Sequence, residues 1–408
     1  MGKSLYKREH YLEKIRPFYN DSMIKVIVGI RRCGKSCLME TIAEELRAGG
    51  IADKDIIYID LDKRGFRKIN TSEQLEELIK SNITDADFKY LFIDEIQNVE
   101  GFEEVINGYN TDGGFSIFVT GSNSYLLSGE LATKLTGRLI EFEMFTLSFA
   151  EYLDMKCFFG KDVNNIPEEF NGYLKYGGFP KSLDYDDTEA RATYIENVVS
   201  QIIKKDIKSR KKIRNMSTFD RVMTYLINNF GAPTSIANLV TYFKEVEKVS
   251  VKRETLAGYI RLLENAKILY KCERFDLKSR RSLHGEEKYY LADPGIYFAR
   301  NTDVRTSYGP SLENILYTYL RSCGYIVSVG RIGNLEVDFI TRKHDDYAYI
   351  QVSMTIADKN VEDREYRPFS KIRDNYPQYL FTLDPLLLKR DGVTHINLMD
   401  FLKENSNL

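Results

Sequence analysis

Cysteine and histidine are scarce and scattered in this chain of 408 residues: five cysteines, Cys33, Cys37, Cys157, Cys272 and Cys323, and four histidines. Their spacing gives neither a zinc-ligand set nor a disulfide framework, which excludes a metal- or disulfide-stapled scaffold and points to a reducing cytosol. Cys33 and Cys37 read as small buried thiols rather than reactive ones. No run is long enough to span a membrane, and the N-terminal MGKSLYKREHYLEKIRPF lacks the apolar core of a signal peptide, so a cytoplasmic location is expected. An excess of either charge is also missing. With 58 basic and 60 acidic residues the net charge is −2, and any nucleic-acid contact must come from local patches. Internal repeats and low-complexity tracts are absent, and the length exceeds one ordinary core, implying between about two and four domains.

What is present is concentrated first between Lys25 and Ile42, KVIVGIRRCGKSCLMETI. A short apolar strand leads into Gly29-x-x-x-x-Gly34-Lys35-Ser36 and then into an amphipathic helix, the setting in which a phosphate-cradling loop works. Successive backbone N–H groups and the positive end of the helix dipole make an anion-binding concavity. Lys35 is expected to reach the β/γ-phosphates and the Ser36 hydroxyl to sit on Mg²⁺. The expected nucleotide contacts are Gly29, Ile30, Arg31, Arg32, Cys33, Gly34, Lys35, Ser36 and Cys37. Arg31 and Arg32 either raise the affinity for polyphosphate or form salt bridges within the protein.

Downstream, apolar strands alternate with helical segments: 56–61, a helix from Ser72, 90–96, a helix after Gly101, and 115–122. This βαβ rhythm predicts a parallel α/β sheet covered by helices on both faces. Residues 5–19 read as a preceding helix. In Tyr90-Leu91-Phe92-Ile93-Asp94-Glu95 an apolar strand beside the loop ends in two carboxylates: Asp94 is the candidate Mg²⁺ holder and Glu95 the candidate base for the attacking water. At the next strand end, Thr120 or Ser122 is a candidate partner for the γ-phosphate or the water, and Asn123 a further one; the competing reading is a turn capped by Ser122. Arg138 reads either as an arginine finger acting in its own or a neighbouring copy, which makes a homo-oligomer a candidate assembly, or as a solvated arginine paired with Glu141 or Glu143. No Asn-Lys-x-Asp motif is present, which favours ATP over GTP.

From about Thr146 to Ile213 helical text dominates and suggests a helical lid. Helices near 218–230, 235–243 and 252–265, followed by a ribbon pairing 268–275 with 287–293 across a basic loop, give the outline of a winged helix. After Tyr308-Gly309-Pro310 the chain alternates helix and strand again, as in a further α/β domain.

The runs IKVIVGIRRCGKS, LFIDEIQNVEGFEEVINGY, FVTGSNSYLLSGELATKLTGRLIEFEMFTLSFAEYL and YGGFP resemble the prokaryotic AAA-type ATPases whose C-terminal half is the domain of unknown function DUF4143. The resemblance covers nearly the whole chain. It implies an AAA-type ATPase core with helical lid over 1–212, a winged helix over 213–303, and a domain similar to the PD-(D/E)xK nucleases over 304–408. Nucleases of that type need an acid at the position of Asp338 and an acid-x-lysine pair on the following strand, with Glu313 in the preceding helix. Here the pair reads Gln351-x-Ser353, so the fold is expected without efficient cleavage.

Two basic clusters suggest contact with double-stranded DNA. One spans Lys204–Arg214; the other lies on the predicted wing, with Lys278, Arg280 and Arg281, while the third helix offers Lys252, Arg253, Thr255 and Arg261. Solvated helix faces or a protein-binding adaptor are the competing reading. The leading expectation is an ATP- and Mg²⁺-dependent P-loop ATPase acting as a molecular switch, with phosphoryl transfer carried by Lys35, Glu95 and Arg138. An ATP-regulated DNA endonuclease and a non-hydrolysing regulator are the alternatives.

Overall fold

A buried five-residue strand, β1 (Ile24–Val28), lies inside a parallel sheet because both its faces are apolar or neutralised. Its one charged member, Lys25, is fully buried; its ammonium donates to the Asp21 carbonyl (2.8 Å) and the Ser116 hydroxyl (2.7 Å) and stands over the Phe118 ring. The computed structural model describes residues 5–121, 137–208, 213–279, 281–301 and 308–408. It divides into two compact units: residues 1–144 with 265–267, and residues 145–264 with 268–408.

In the first unit, α1 (Glu9–Ile15) precedes β1, and a short 3-10 turn (Arg16–Phe18) replaces the rest of the predicted N-terminal helix, since Pro17 cannot continue it. There follow α2 (Lys35–Ala48), β2 (Ile56–Asp60), α3 (Ser72–Lys80), β3 (Lys89–Asp94), α4 (Phe102–Asp112), β4 (Phe115–Gly121) and β5 (Leu139–Glu143). The α3 N-terminus is fixed by a capping box between Thr71 and Gln74. Strand order is β2-β3-β4-β1-β5, with every pair parallel. One detail departs from the sequence reading: β5 adds a fifth strand beyond β1, while β4 lies between β3 and the phosphate-loop strand. A core of Val26, Val28, Ile59, Leu91, Ile93, Ile117 and Val119 packs against Leu75 and Ile79 of α3 and Val105 and Ile106 of α4.

The second unit opens with α5 (Phe149–Phe158), α6 (Ile166–Tyr176) and α7 (Thr188–Ile202), the last continued by a π-helical stretch Ile203–Lys208. Then come α8 (Met216–Asn228), β6 (Pro233–Thr234), α9 (Ile236–Glu245), α10 (Arg253–Asn265), β7 (Leu269–Asp276), β8 (Arg281–Leu291) and α11 (Gly295–Arg300). The final stretch holds α12 (Gly309–Ser322), β9 (Ile326–Ile332), β10 (Leu335–Lys343), β11 (Asp346–Val352), α13 (Lys359–Tyr366), β12 (Gln378–Thr382), β13 (Lys389–Arg390), β14 (Val393–Asn397) and α14 (Leu398–Lys403).

Here the division expected at 303/304 meets a different arrangement. The β7–β8 hairpin does not stand apart: β7 pairs in parallel with β9, so one nine-stranded sheet runs β13-β14-β12-β11-β10-β9-β7-β8-β6. The hairpin is also tighter than expected, because β8 already begins at Arg281, opposite Asp276, and leaves only a short turn where a basic loop was predicted.

The YGGFP run has a local cause. Gly177 has φ +67°, and a Cβ there would lie 1.6 Å from an oxygen of the buried Asp293; one on Gly178 would lie 2.2 Å from the Leu147 carbonyl oxygen. Asp293 accepts from the backbone N–H of Gly178 (2.8 Å) and of Gly295 (2.9 Å), tying the end of α6 to the start of α11. Burial pushes its carboxyl up to about 7, against those two bonds and one from Thr146.

Candidate functional site

The carboxyl ends of β1, β3 and β4 bring the predicted polar residues of the first unit to one edge of the sheet, where ligands of open α/β sheets gather. After β1 the loop turns on three left-handed residues, Gly29 (φ +152°), Arg32 (+70°) and Gly34 (+110°). Gly29 has no room for a side chain, since a Cβ would sit 2.1 Å from the Met144 carbonyl oxygen. Lys35, the first residue of α2, is buried, and its ammonium donates to the carbonyls of Gly29 (2.9 Å) and Ile30 (3.2 Å) across the mouth of the loop. Arg31 is buried and Arg32 exposed. Cys33 is buried as expected, whereas Cys37 is exposed, because α2 turns that position outward.

Asp94, at the end of β3, is buried beside the Ser36 and Thr120 hydroxyls, both of which donate to it. Burial pushes its carboxyl up and the two hydroxyls pull it down, with Glu95 and Asp60 adding repulsion. Asp60 owes that proximity to its register opposite Asp94 on β2. Glu95 lies in the left-handed region (φ +55°), its N–H donates to the Thr120 hydroxyl (3.0 Å), and its carboxylate accepts from the Gln97 amide. Thr120 therefore joins both carboxylate-bearing positions, which the place of β4 beside β3 makes possible.

Arg138 is not brought to this edge. Leu139 pairs with Ile24 at the start of β1, so Arg138 sits at the amino end of the sheet, about 15 Å of strand from the loop. Its guanidinium donates to Asn107 (2.6 Å) and Thr111 (2.9 Å) of α4. A finger acting on its own chain's site is thereby corrected. Ser122, Asn123, Arg280 and residues 209–212 of the first basic cluster lie outside the described residues.

Sequence reasoning passed over Arg8. It is buried, donates to the Cys33 carbonyl (3.1 Å) and stacks on Tyr11, so a residue before β1 braces the phosphate loop. No motif marks such a residue, because its role depends on where α1 packs.

In the second unit, Glu313, Asp338 and Gln351 line a common cavity of about 790 Å³, joined by Glu336 and by Glu365 of α13. A lysine reaches this cluster after all, but from a distant strand: Lys288 of β8 donates to Glu313 (3.0 Å) and pairs with Glu336 (2.9 Å). Gln351 is committed, accepting from the Asp338 N–H (2.8 Å) and donating to Glu365 (3.0 Å). Among the described residues no group of three or more acids, histidines or cysteines is placed to hold a metal ion.

Comparison with known families places these features. Residues 21–153 match the model of an AAA domain, and residues 167–305 that of the domain of unknown function DUF8612 rather than DUF4143. An uncharacterized protein of Haemophilus influenzae is 33% identical over 407 residues, spanning 98% of this chain and 100% of that protein. The chain belongs with it to one family, in which residues 21–153 carry the AAA domain match. A second uncharacterized relative, from Methanocaldococcus jannaschii, is 30% identical over 364 residues, covering 85% of this chain and 78% of the relative. Among solved structures, a Walker-type ATPase of Pyrococcus abyssi shares the fold with a TM-score of 0.51 at 16% identity, over 72% of this chain and 96% of that one. No helix among the described residues is long and apolar enough to cross a membrane.

Proposed function

We propose that the protein binds ATP with Mg²⁺ at the loop around Lys35, hydrolyses it, and uses the nucleotide state as a switch for its second unit. The observation that carries this reading is the convergence of Lys35, Ser36, Asp94, Glu95 and Thr120 at one sheet edge. A polyphosphate offers Lys35 charged acceptors in place of the two neutral carbonyls it now holds, and charge-assisted bonds are about twice as strong. The donor set around Asp94 is all oxygen and suits a hard divalent cation, which Ser36 and Asp94 would hold. When bound, Mg²⁺ neutralises charge developing on the transferred phosphoryl group. Glu95 orients and deprotonates the attacking water, and Thr120 holds Glu95 and Asp94 in register. Any catalytic role of Arg138 is confined to the site of a second copy.

The order α8, β6, α9, α10 and the β7–β8 hairpin supports a winged-helix reading for 213–303. Lys252, Arg253 and Arg261, all exposed, are its candidate contacts to double-stranded DNA, with Arg281 at the turn. For 304–408 we propose a nuclease-like fold that does not cleave. Lys288 serves there as an internal counter-ion to Glu313 and Glu336, and Gln351 is spent on structure.

Turnover of ATP, measured with and without DNA, tests the central reading. Lys35→Ala should abolish nucleotide binding, whereas Glu95→Gln should keep ATP bound and lose turnover by about 10²-fold or more. Wild-type turnover by the Glu95→Gln variant would sink the assignment of the base.

A further inference from the structure

A groove of about 840 Å³ in the second unit, which meets the acid cluster's cavity at Asn334 and Leu335, crosses one region of the sheet over β7, β9, β10 and β11. These are consecutive neighbours in the sheet, so the groove crosses three inter-strand spacings, about 14 Å. Two aromatic rings mark one end: Tyr347 and Tyr376 lie with centroids 5.1 Å apart, and Tyr376 is 43% exposed. Three cations line it, Lys278 from the hairpin turn and Lys371 and Arg373 from the segment before β12. None of the three has an ion pair or side-chain hydrogen bond among the described residues. Asp374, the one acid among the described lining residues, is already committed: it accepts from the Tyr349 hydroxyl (2.6 Å) and from the Tyr376 N–H (3.3 Å).

We propose that this groove binds a short single-stranded stretch of nucleic acid, with bases stacked on Tyr376 and Tyr347 and phosphates met by Lys278, Lys371 and Arg373. Uncommitted cations along a groove that holds its only acid by internal bonds select an anion. An exposed ring, Tyr376, packed beside the half-buried Tyr347 of β11 selects flat, unstacked bases, which a strand offers and a duplex hides. The span of about 14 Å is several times the ~3.4 Å rise per nucleotide of a stacked strand, so the repeating ligand fits better than a lone nucleotide. This site is separate from the candidate duplex contacts on α10. It also gives Lys278 a different role from the one its place on a wing suggested.

Fluorescence anisotropy of a labelled ten-nucleotide oligothymidylate with the full-length protein tests the proposal, with a duplex of equal length and AMP as competitors. The expected result is binding whose log affinity falls against log salt with a slope of about −2, for three phosphate contacts at ~0.7 each. Tyr376→Ala should weaken it about tenfold. The double substitution Lys371→Ala with Arg373→Ala should bring the slope to about −0.7. These positions are exposed, and an unchanged urea midpoint confirms folding; should Tyr376→Ala unfold, the double variant decides. Measured without ATP, so that both proteins are in the same nucleotide-free state, the Lys35→Ala variant must bind the oligonucleotide as the wild type does. Absence of binding, loss of binding in Lys35→Ala, equal binding of the duplex, equal competition by AMP, or indifference to the groove substitutions would each overturn the proposal.

Discussion

At the scale of the residue, two positions are governed by space and burial rather than by chemistry with a ligand. Gly29 combines φ +152° with a carbonyl oxygen 2.1 Å from where a Cβ would be. Gly29→Ala should therefore lower the unfolding free energy by about 2 kcal/mol or more, read from urea denaturation, before any effect on nucleotide is considered. Asp293 is governed by burial. Its carboxyl titrates at about 7 in the folded protein, against an ordinary value near 3.8, so the folded state holds a proton that the unfolded state has lost across that interval. The stability it confers is complete below pH ~4 and declines as pH rises to about 7, on the order of a few kcal/mol in all. Unfolding of the second unit followed from pH 4 to 7.5 should show this decline, and Asp293→Asn should flatten it.

At the scale of the element, Thr120 shows what strand order does for the site. Its hydroxyl donates to Asp94 and accepts from the Glu95 N–H, so β4 fixes the end of β3 through one side chain. Thr120→Val keeps the shape and removes both bonds, leaving a buried carboxylate and an N–H short of partners. It should cost about 2 kcal/mol of stability in urea unfolding and slow ATP turnover with little change in nucleotide affinity, because Lys35 is untouched. This junction also marks the limit of what the sequence discloses. Local patterns suffice for the strand, loop and helix around Lys35, for Asp94 and Glu95 at a strand end, and for the helices between 216 and 265. What they omit are relations across the sheet. Nothing local says that β4 rather than β3 adjoins β1, that Arg138 starts its strand at the far edge, or that Arg8 packs on Cys33. Lys288 is the sharpest case, since a lysine on β8 is joined to Glu313 and Glu336 only through the pairing of β7 with β9.

At the scale of the whole molecule, the shared sheet decides which pieces can exist alone. A fragment limited to 213–303 would carry β7 with one edge unpaired, Arg274 with Glu286 but without Glu336, and Lys288 without the Glu313 and Glu336 carboxylates that neutralise it. Stranding a buried cation costs about 3–5 kcal/mol. That fragment should show no cooperative thermal transition by circular dichroism, whereas 145–408 should melt as one unit.

The parallel pairing of β7 with β9 also sets an order in time. β7 ends at Asp276 and β9 starts at Ile326, so about 50 residues must be made before the first strand meets its second neighbour. At a synthesis rate of ~5–20 residues per second, a nascent chain exposes that strand edge for roughly 3–10 s, plus the time spent in the ribosomal tunnel. During synthesis that edge of the hairpin is thus open to pairing with a neighbouring chain, and gives a chaperone something to protect.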